Sequence, residues 1–75
     1  MNIIHPEMLK QLRSYYTPGT RVMLLMMNDP YTKLQPGDKG TVTSVDDMGT
    51  IHVSWDPGSS LGVVFGEDLC KKIEE

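Results

Sequence analysis

The sequence predicts a mainly β fold, a small and strongly bent barrel that carries one amphipathic helix at its N-terminal end. Three observations predict it. Short β-prone runs recur from residue 20 onward, glycine- and proline-rich turns separate them, and residues 5–16 show a helical apolar pattern. A chain of 75 residues forms one domain and leaves no room for a catalytic domain beside a binding one.

Residues 5–16 are expected to form the helix. Pro6 suits the first helical position, where its missing N–H costs nothing, and Glu7 lies in the positively polarised first turn. One face carries the apolar side chains of Met8, Leu9, Leu12, Tyr15 and Tyr16. A helix of about three turns is marginal alone in water, so we expect its apolar face to dock on the barrel.

Residues 20–27 are expected to form the first strand, with apolar side chains on both faces. One face carries Val22, Leu24 and Met26, and the other carries Met23, Leu25 and Met27. A strand with one face in water would alternate apolar and polar residues, so one face should enter the core while the helix covers the other. Methionine fills irregular gaps, which favours packing; an adaptable surface for a partner or a second copy is the alternative.

Four further strands are expected, at residues 41–45, 51–55, 59–65 and 70–73. A long loop precedes the second strand, and Tyr31 and Leu34 are its candidate inward anchors. The turn at residues 56–58 is expected to be type II, with Pro57 at its second position and Gly58 at its third. A single 3₁₀ turn is expected before the last strand.

Five strands, with a long loop after the first and a short 3₁₀ turn before the last, are the plan of an SH3-like barrel. On this plan residues 1–17 are an N-terminal helical extension, and residues 18–75 are the SH3-like barrel domain.

Four phrases of the sequence resemble a small bacterial family catalogued as domain of unknown function 4314. They are PGTRV at residues 18–22, DPYT at 29–32, PGDKGTV at 36–42 and WDPGSSL at 55–61. The resemblance spans residues 18–73 and implies a compact β-barrel module, often carried on bacterial chromosomes, phages and conjugative elements. It implies no known activity and no functional residue. Residues 36–53 also resemble the KOW type of SH3-like barrel, through Gly37, Gly40 and Val42.

Cysteine content and apolar runs indicate the cellular compartment expected for the protein. Cys70 is the only cysteine, so no disulfide within the chain is possible, and a lone thiol fits a reducing cytosol. No stretch resembles a signal peptide, and no apolar run reaches membrane-spanning length. We therefore expect a cytoplasmic protein, a monomer or weak homodimer, without membrane association.

Residue types that serve catalysis or metal binding are present, but their arrangement does not favour either. His52 has Ser54 and Asp46 nearby in sequence, yet it should point outward from its strand, and no nucleophile lies on a sharp turn. The paired acidic residues Asp46-Asp47 and Glu67-Asp68 lie in turns, where aspartate hydrogen-bonds its own backbone. Neither pair has the spaced oxygen ligands of a calcium loop. We expect no enzymatic activity, no metal and no cofactor.

Binding of a protein partner is the expected function. SH3-like barrels commonly bind ligands in the groove between the long first loop and the following turns. That rim would gather Tyr31, Lys33, Gln35, Trp55 and Asp56. Tyrosine and tryptophan are favoured interface anchors, although Tyr31 would otherwise pin the loop and Trp55 would otherwise end a core strand. On the family resemblance, the partner would belong to the biology of a phage or conjugative element.

Two alternatives stay open at the level of sequence. Nucleic-acid binding would use Arg21, Lys33 and Lys39, but the net charge of −3 weighs against it, because acidic proteins lack a general attraction to phosphate. Self-association would use the methionine-rich first strand and the helix.

Overall fold

The computed structural model describes residues 4–74 as one helix and a four-stranded antiparallel sheet. The helix α1 spans Pro6–Tyr15, and the strands are β1 (Arg21–Met26), β2 (Lys39–Val45), β3 (Ile51–Trp55) and β4 (Leu69–Lys72). The strand order is β3-β2-β1-β4. The predicted mainly β fold with an N-terminal helix is confirmed.

Helix α1 begins and ends close to the predicted residues. His5 caps it, because its Nδ1 accepts the Glu7 N–H at 3.1 Å, and Pro6 occupies the first helical position. The last turn closes with the Tyr16 N–H on the Leu12 carbonyl at 2.8 Å. None of the helical residues is buried, so the helix rests on the sheet by one side only.

The helix docks at a different place from the one predicted. It does not cover the outer face of β1; it contacts β2. Arg13 donates to the Val45 carbonyl at 3.3 Å and to Asp47 Oδ1 at 2.6 Å. At the other end the Tyr16 hydroxyl donates to the Cys70 carbonyl at 3.5 Å. The expectation that the helix covers one face of the first strand is therefore wrong, since the helix contacts β2 and not β1.

A β-bulge in β1 explains why its outer residues behave unexpectedly. Leu24 pairs with Cys70 and Met26 with Leu69, so β1 has one residue more than β4 across this interval. The extra residue shifts the alternation of faces. Before the bulge Val22 and Leu24 are fully buried, whereas after it Met27 packs against the core and Met26 is exposed.

The core lies on one face of the sheet and is built from few side chains. Its buried members are Val22, Leu24, Leu34, Val42, Ile51, Val53, Trp55 and Val63. Trp55 is the largest of the fully buried side chains. The main chain of Gly40 lies against it so closely that a Cβ there would stand 2.9 Å from Trp55 Cε3 and 2.6 Å from Val53 Cγ1.

The fourth of the five predicted strands, at residues 59–65, is reduced to one bridge, in which Val63 and Ile51 pair. The reason lies at Leu61, whose main chain is used elsewhere. Its N–H donates to Ser59 Oγ at 3.3 Å, and its carbonyl accepts the Trp55 Nε1–H at 2.8 Å. A ladder cannot run through a residue with both groups occupied. The described part of the chain therefore forms four strands and an open sheet, and the expected closed five-stranded barrel is not formed.

Glycines with positive φ form two of the turns between the strands. Asp38 N–H bonds to the Gln35 carbonyl at 3.0 Å around Gly37, and Gly49 N–H bonds to the Asp46 carbonyl at 3.1 Å; both glycines have positive φ. The turn after β3 differs. Gly58 N–H donates to the Trp55 carbonyl at 2.9 Å, which makes Pro57 the third residue of the turn and not the second.

A buried carboxylate joins the long loop to the turn before β4. Asp68 is buried, and its Oδ1 accepts the Asn28 N–H at 2.7 Å while its Oδ2 accepts the Val64 N–H at 2.9 Å. The turn itself is closed by the Glu67 N–H on the Val64 carbonyl at 3.1 Å. Between residues 4 and 74, no helix combines the length and hydropathy that a bilayer crossing requires.

Candidate binding groove

A groove of about 500 Å³ lies between the long loop that joins β1 to β2 and the turn that follows β3. The side chains that line it come from two stretches of the chain: Asp29, Tyr31, Thr32, Lys33 and Leu34 from the loop, and Pro57, Gly58, Ser59 and Leu61 from the turn. We call it the loop groove. It occupies the place where the sequence predicted a ligand rim.

Tyr31 is displayed at the rim of the loop groove and does not pin the loop. Its side chain is 93% exposed, whereas Leu34 is buried and is the loop's anchor in the core. The main chain around Tyr31 is nevertheless held: its N–H donates to Asp29 Oδ1 at 2.9 Å, and the Leu34 N–H donates to Thr32 Oγ1 at 3.2 Å. Local side-chain acceptors therefore shape the loop that presents Tyr31.

Trp55 lies beneath the groove and not on its surface. Only 2% of it is exposed, so it is a core residue and offers no contact area to a partner. Its main-chain N–H donates to the Ser59 carbonyl at 2.7 Å, and its indole N–H holds the Leu61 carbonyl. Trp55 thus fixes one wall of the groove from within the core.

Asp56 belongs to an ion pair rather than to the groove. Arg21 contacts it with both guanidinium nitrogens, Nη1 to Oδ1 at 2.9 Å and Nη2 to Oδ2 at 2.6 Å, and also donates to Thr41 Oγ1 at 3.0 Å. The hydrogen bond from Arg21 lowers the pKa of Asp56, and the charges of Arg21 and Lys39 lower it further. The predicted residues Arg21, Lys39 and Asp56 therefore form one charge cluster.

The remaining predicted residues do not lie together in the structure. Lys33 lines the loop groove and is exposed, and no hydrogen bond or ion pair joins its ammonium to another residue in the range 4–74. Gln35 is exposed outside the groove, and its main-chain N–H donates to Asp38 Oδ2 at 2.9 Å. The proposed nucleic-acid trio is thus divided, with Lys33 on the groove and Arg21 and Lys39 beside Asp56.

His52 forms a pair with Asp46 that closes the turn between β2 and β3. Its Nε2 lies 2.9 Å from Asp46 Oδ2, while Asp46 Oδ1 accepts the N–H groups of Met48 and Thr50 at 3.0 and 2.9 Å. The hydrogen bond from His52 is the largest cause of the lowered pKa of Asp46. Within the described residues no serine hydroxyl bonds to the imidazole, and no group of three His, Cys, Asp or Glu side chains could hold a metal.

Sequence reasoning missed the residues that form the opposite wall of the groove. Pro57, Ser59 and Leu61 were assigned only to a turn and a strand, because their sequence gives no sign of facing the long loop. The signal that existed was the turn itself, since a turn directly after a core strand returns its residues to the edge of that core.

Comparison with known proteins identifies one relationship. A family model described as a domain of unknown function (DUF4314) matches residues 5–73, a range that includes helix α1 as well as the sheet. No curated protein and no solved structure matches the chain significantly.

Proposed function

This chain belongs to the DUF4314 family, and we propose that it is a non-enzymatic module that binds another protein through the loop groove. One observation carries the proposal: Tyr31 is 93% exposed on a loop whose main chain is held by hydrogen bonds. An exposed aromatic side chain gains no hydrophobic stabilisation from the core, so a large aromatic side chain in that position suggests another use. The hydrogen-bonded backbone of its loop lowers the conformational entropy lost when a partner covers the ring.

The composition of the groove suits a protein ligand. Leu34, Leu61 and Pro57 supply apolar surface, and Tyr31 and Lys33 stand at the rim. An apolar centre with a polar rim and an aromatic anchor is the usual anatomy of a binding surface between proteins.

We further interpret the fold as an SH3-like barrel whose fourth strand is reduced to one bridge. The support is the order β3-β2-β1-β4, the long loop between β1 and β2, and the pairing of Val63 with Ile51 beside β3. In such a barrel the loop groove is the position at which ligands bind, which agrees with the site proposed from Tyr31.

The proposal of a binding role rather than a catalytic one rests on His52. Its imidazole Nε2 and the Asp46 carboxylate are both used to close a turn, as the three hydrogen bonds to Asp46 indicate. We propose a cytoplasmic location, which the lone thiol of Cys70 supports, and a role as an accessory factor of a bacterial phage or conjugative element, which the resemblance of the four sequence phrases to the family supports.

The proposal is tested by comparing two tyrosine variants. Tyr31→Ala and Tyr15→Ala each remove one exposed aromatic ring, but only the first lies in the groove. Each purified variant is used to capture partners from nuclease-treated lysate of the native cell, and the captured protein is then titrated against each variant. We expect wild type and Tyr15→Ala to bind equally and Tyr31→Ala to lose at least about tenfold in affinity, as an interface anchor does.

Equal binding by Tyr31→Ala would refute the groove as the site. Nucleic-acid binding is the less favoured alternative, because Arg21 is already paired with Asp56 on both oxygens. It predicts a mobility shift of DNA or RNA at low salt that disappears as salt rises, and such a shift would replace the protein-binding proposal.

A further inference from the structure

A second surface, away from the loop groove, carries exposed apolar side chains at one end of the sheet. Met26 and Leu69 are paired across β1 and β4 and are 47% and 54% exposed. Leu25 adjoins Met26 at the bulge, and Phe65 lines the same apolar depression as Leu69; both are also exposed. We call these four residues the β1–β4 patch. Exposed apolar side chains grouped at one end of a small domain indicate an interaction surface.

A partner that docks on the β1–β4 patch must contact its side chains and cannot add a strand to the edge of β4. The far edge of β4 is approached by the end of helix α1, where the Tyr16 hydroxyl donates to the Cys70 carbonyl and Lys72 Nζ lies 5.0 Å from the centre of the Tyr15 ring. An incoming strand would have to displace these two tyrosines. The face that carries Leu69 is therefore the available surface.

The charges beside Leu69 indicate which partner fits. Glu67 precedes Leu69 by two residues and Lys71 follows it by two, and both are exposed. Among residues 4–74 no ion pair joins either of them to another side chain. A two-fold axis at Leu69 would bring Glu67 of one copy to Lys71 of the other, and the reverse pair would form by the same symmetry. This pattern is complementary to itself.

We propose that a second copy of this chain docks on the β1–β4 patch about a two-fold axis at Leu69. Leu69 and Met26 of the two copies pack together at the centre, and the two Glu67–Lys71 pairs flank them. A patch of four side chains is small compared with the interfaces of stable dimers, so the association is weak and depends on protein concentration. None of these residues lines the loop groove, so this inference is independent of the proposed function.

Charge exchange provides the test, with sedimentation velocity over a wide range of protein concentration as the readout. The wild-type sedimentation coefficient should rise with concentration. Glu67→Lys alone and Lys71→Glu alone should each sediment as monomers, because each places like charges together twice in its own dimer. An equal mixture of the two variants should associate again. In the mixed dimer a chain with lysine at both positions faces a chain with glutamate at both, so both flanking contacts are attractive.

Controls separate this result from a general effect of charge. Lys10→Glu changes the net charge as Lys71→Glu does, but on the exposed side of helix α1, and should associate like wild type. The double variant Glu67→Lys/Lys71→Glu should also associate. Circular dichroism checks that each variant is folded, and Leu69→Asn, at an exposed position, should abolish association without unfolding the protein. A wild type that is monomeric at every concentration, or a mixture that stays monomeric, would overturn the proposal and leave the patch to a different protein.

Discussion

The indole Nε1 of Trp55 donates a 2.8 Å hydrogen bond to the carbonyl oxygen of Leu61, and this contact replaces a ladder bond that a regular strand at residues 59–65 would form. Trp55 is buried and Leu61 is half-buried, so the bond is partly shielded from water. One side chain thereby decides both the strand count and the position of a groove wall.

Removing that donor should destabilise the protein. Trp55→Phe keeps a large apolar ring but leaves the Leu61 carbonyl without its partner, which we expect to cost about 1–3 kcal/mol of unfolding free energy. Urea denaturation measures the loss, and Ser54→Ala, at an exposed position on the same strand, is the control. A change below about 0.5 kcal/mol would indicate that the carbonyl finds another donor.

The Arg21–Asp56 pair should make stability depend on acid. The pKa of Asp56 is lowered from 3.8 in the folded protein, chiefly by the Arg21 hydrogen bond. A carboxyl with a depressed folded pKa stabilises the fold above its unfolded pKa, and this contribution disappears as pH falls through the folded pKa. We expect Asp56→Asn to be less stable than wild type at neutral pH and to converge with it in strong acid. Urea midpoints measured across that range test this; a constant difference would assign the effect to something other than the charge.

Close packing at Gly40 should not tolerate a methyl group. A Cβ at this position would stand 2.6 Å from Val53 Cγ1 and 2.9 Å from both the Ser54 carbonyl oxygen and Trp55 Cε3. Because one of these neighbours is main chain, it cannot move aside cheaply, and we expect Gly40→Ala to cost about 1–3 kcal/mol or more. Gly58→Ala is the comparison, since its Cβ would meet nothing within 4 Å and its cost comes only from a φ of 110°. The thermal unfolding midpoint of Gly40→Ala should be lower than that of Gly58→Ala, and the reverse order would contradict the packing argument.

Cys70 should be an unreactive thiol in the native protein. Burial raises its pKa from 9.0 to about 11. Because only the thiolate is nucleophilic, this higher pKa lowers the reactive fraction at mildly alkaline pH by roughly two orders of magnitude. The rate of modification by Ellman's reagent, compared between native protein and protein unfolded in urea, checks this. Equal rates in the two states would mean that the thiol is not protected by the fold.

Sequence reasoning succeeded where a local interaction decides the structure. Pro6 and Glu7 indicated the start of α1, which begins at Pro6 in the structure. Local chemistry of this kind acts over a few residues, so it is readable without knowledge of the fold.

It failed where a contact between distant residues decides the structure. The bulge opposite Leu69 leaves Met26 exposed. The helix lies where Arg13 pairs with Asp47 and does not lie over β1. The candidate site shows the same division. The long loop was anticipated, but which of Tyr31 and Trp55 faces outward is decided by tertiary packing, which buries Trp55 and leaves Tyr31 exposed.

The carboxylate of Asp68 has a consequence for local motion. Because Asp68 accepts the Asn28 N–H on Oδ1 and the Val64 N–H on Oδ2, detachment of either segment leaves one oxygen of a buried carboxylate without a donor, which favours joint opening of the two. Deuterium uptake at these two amides should therefore occur in a single correlated opening event, with matched protection factors. The base of the loop that carries Tyr31 would then open and close together with the residues that precede β4.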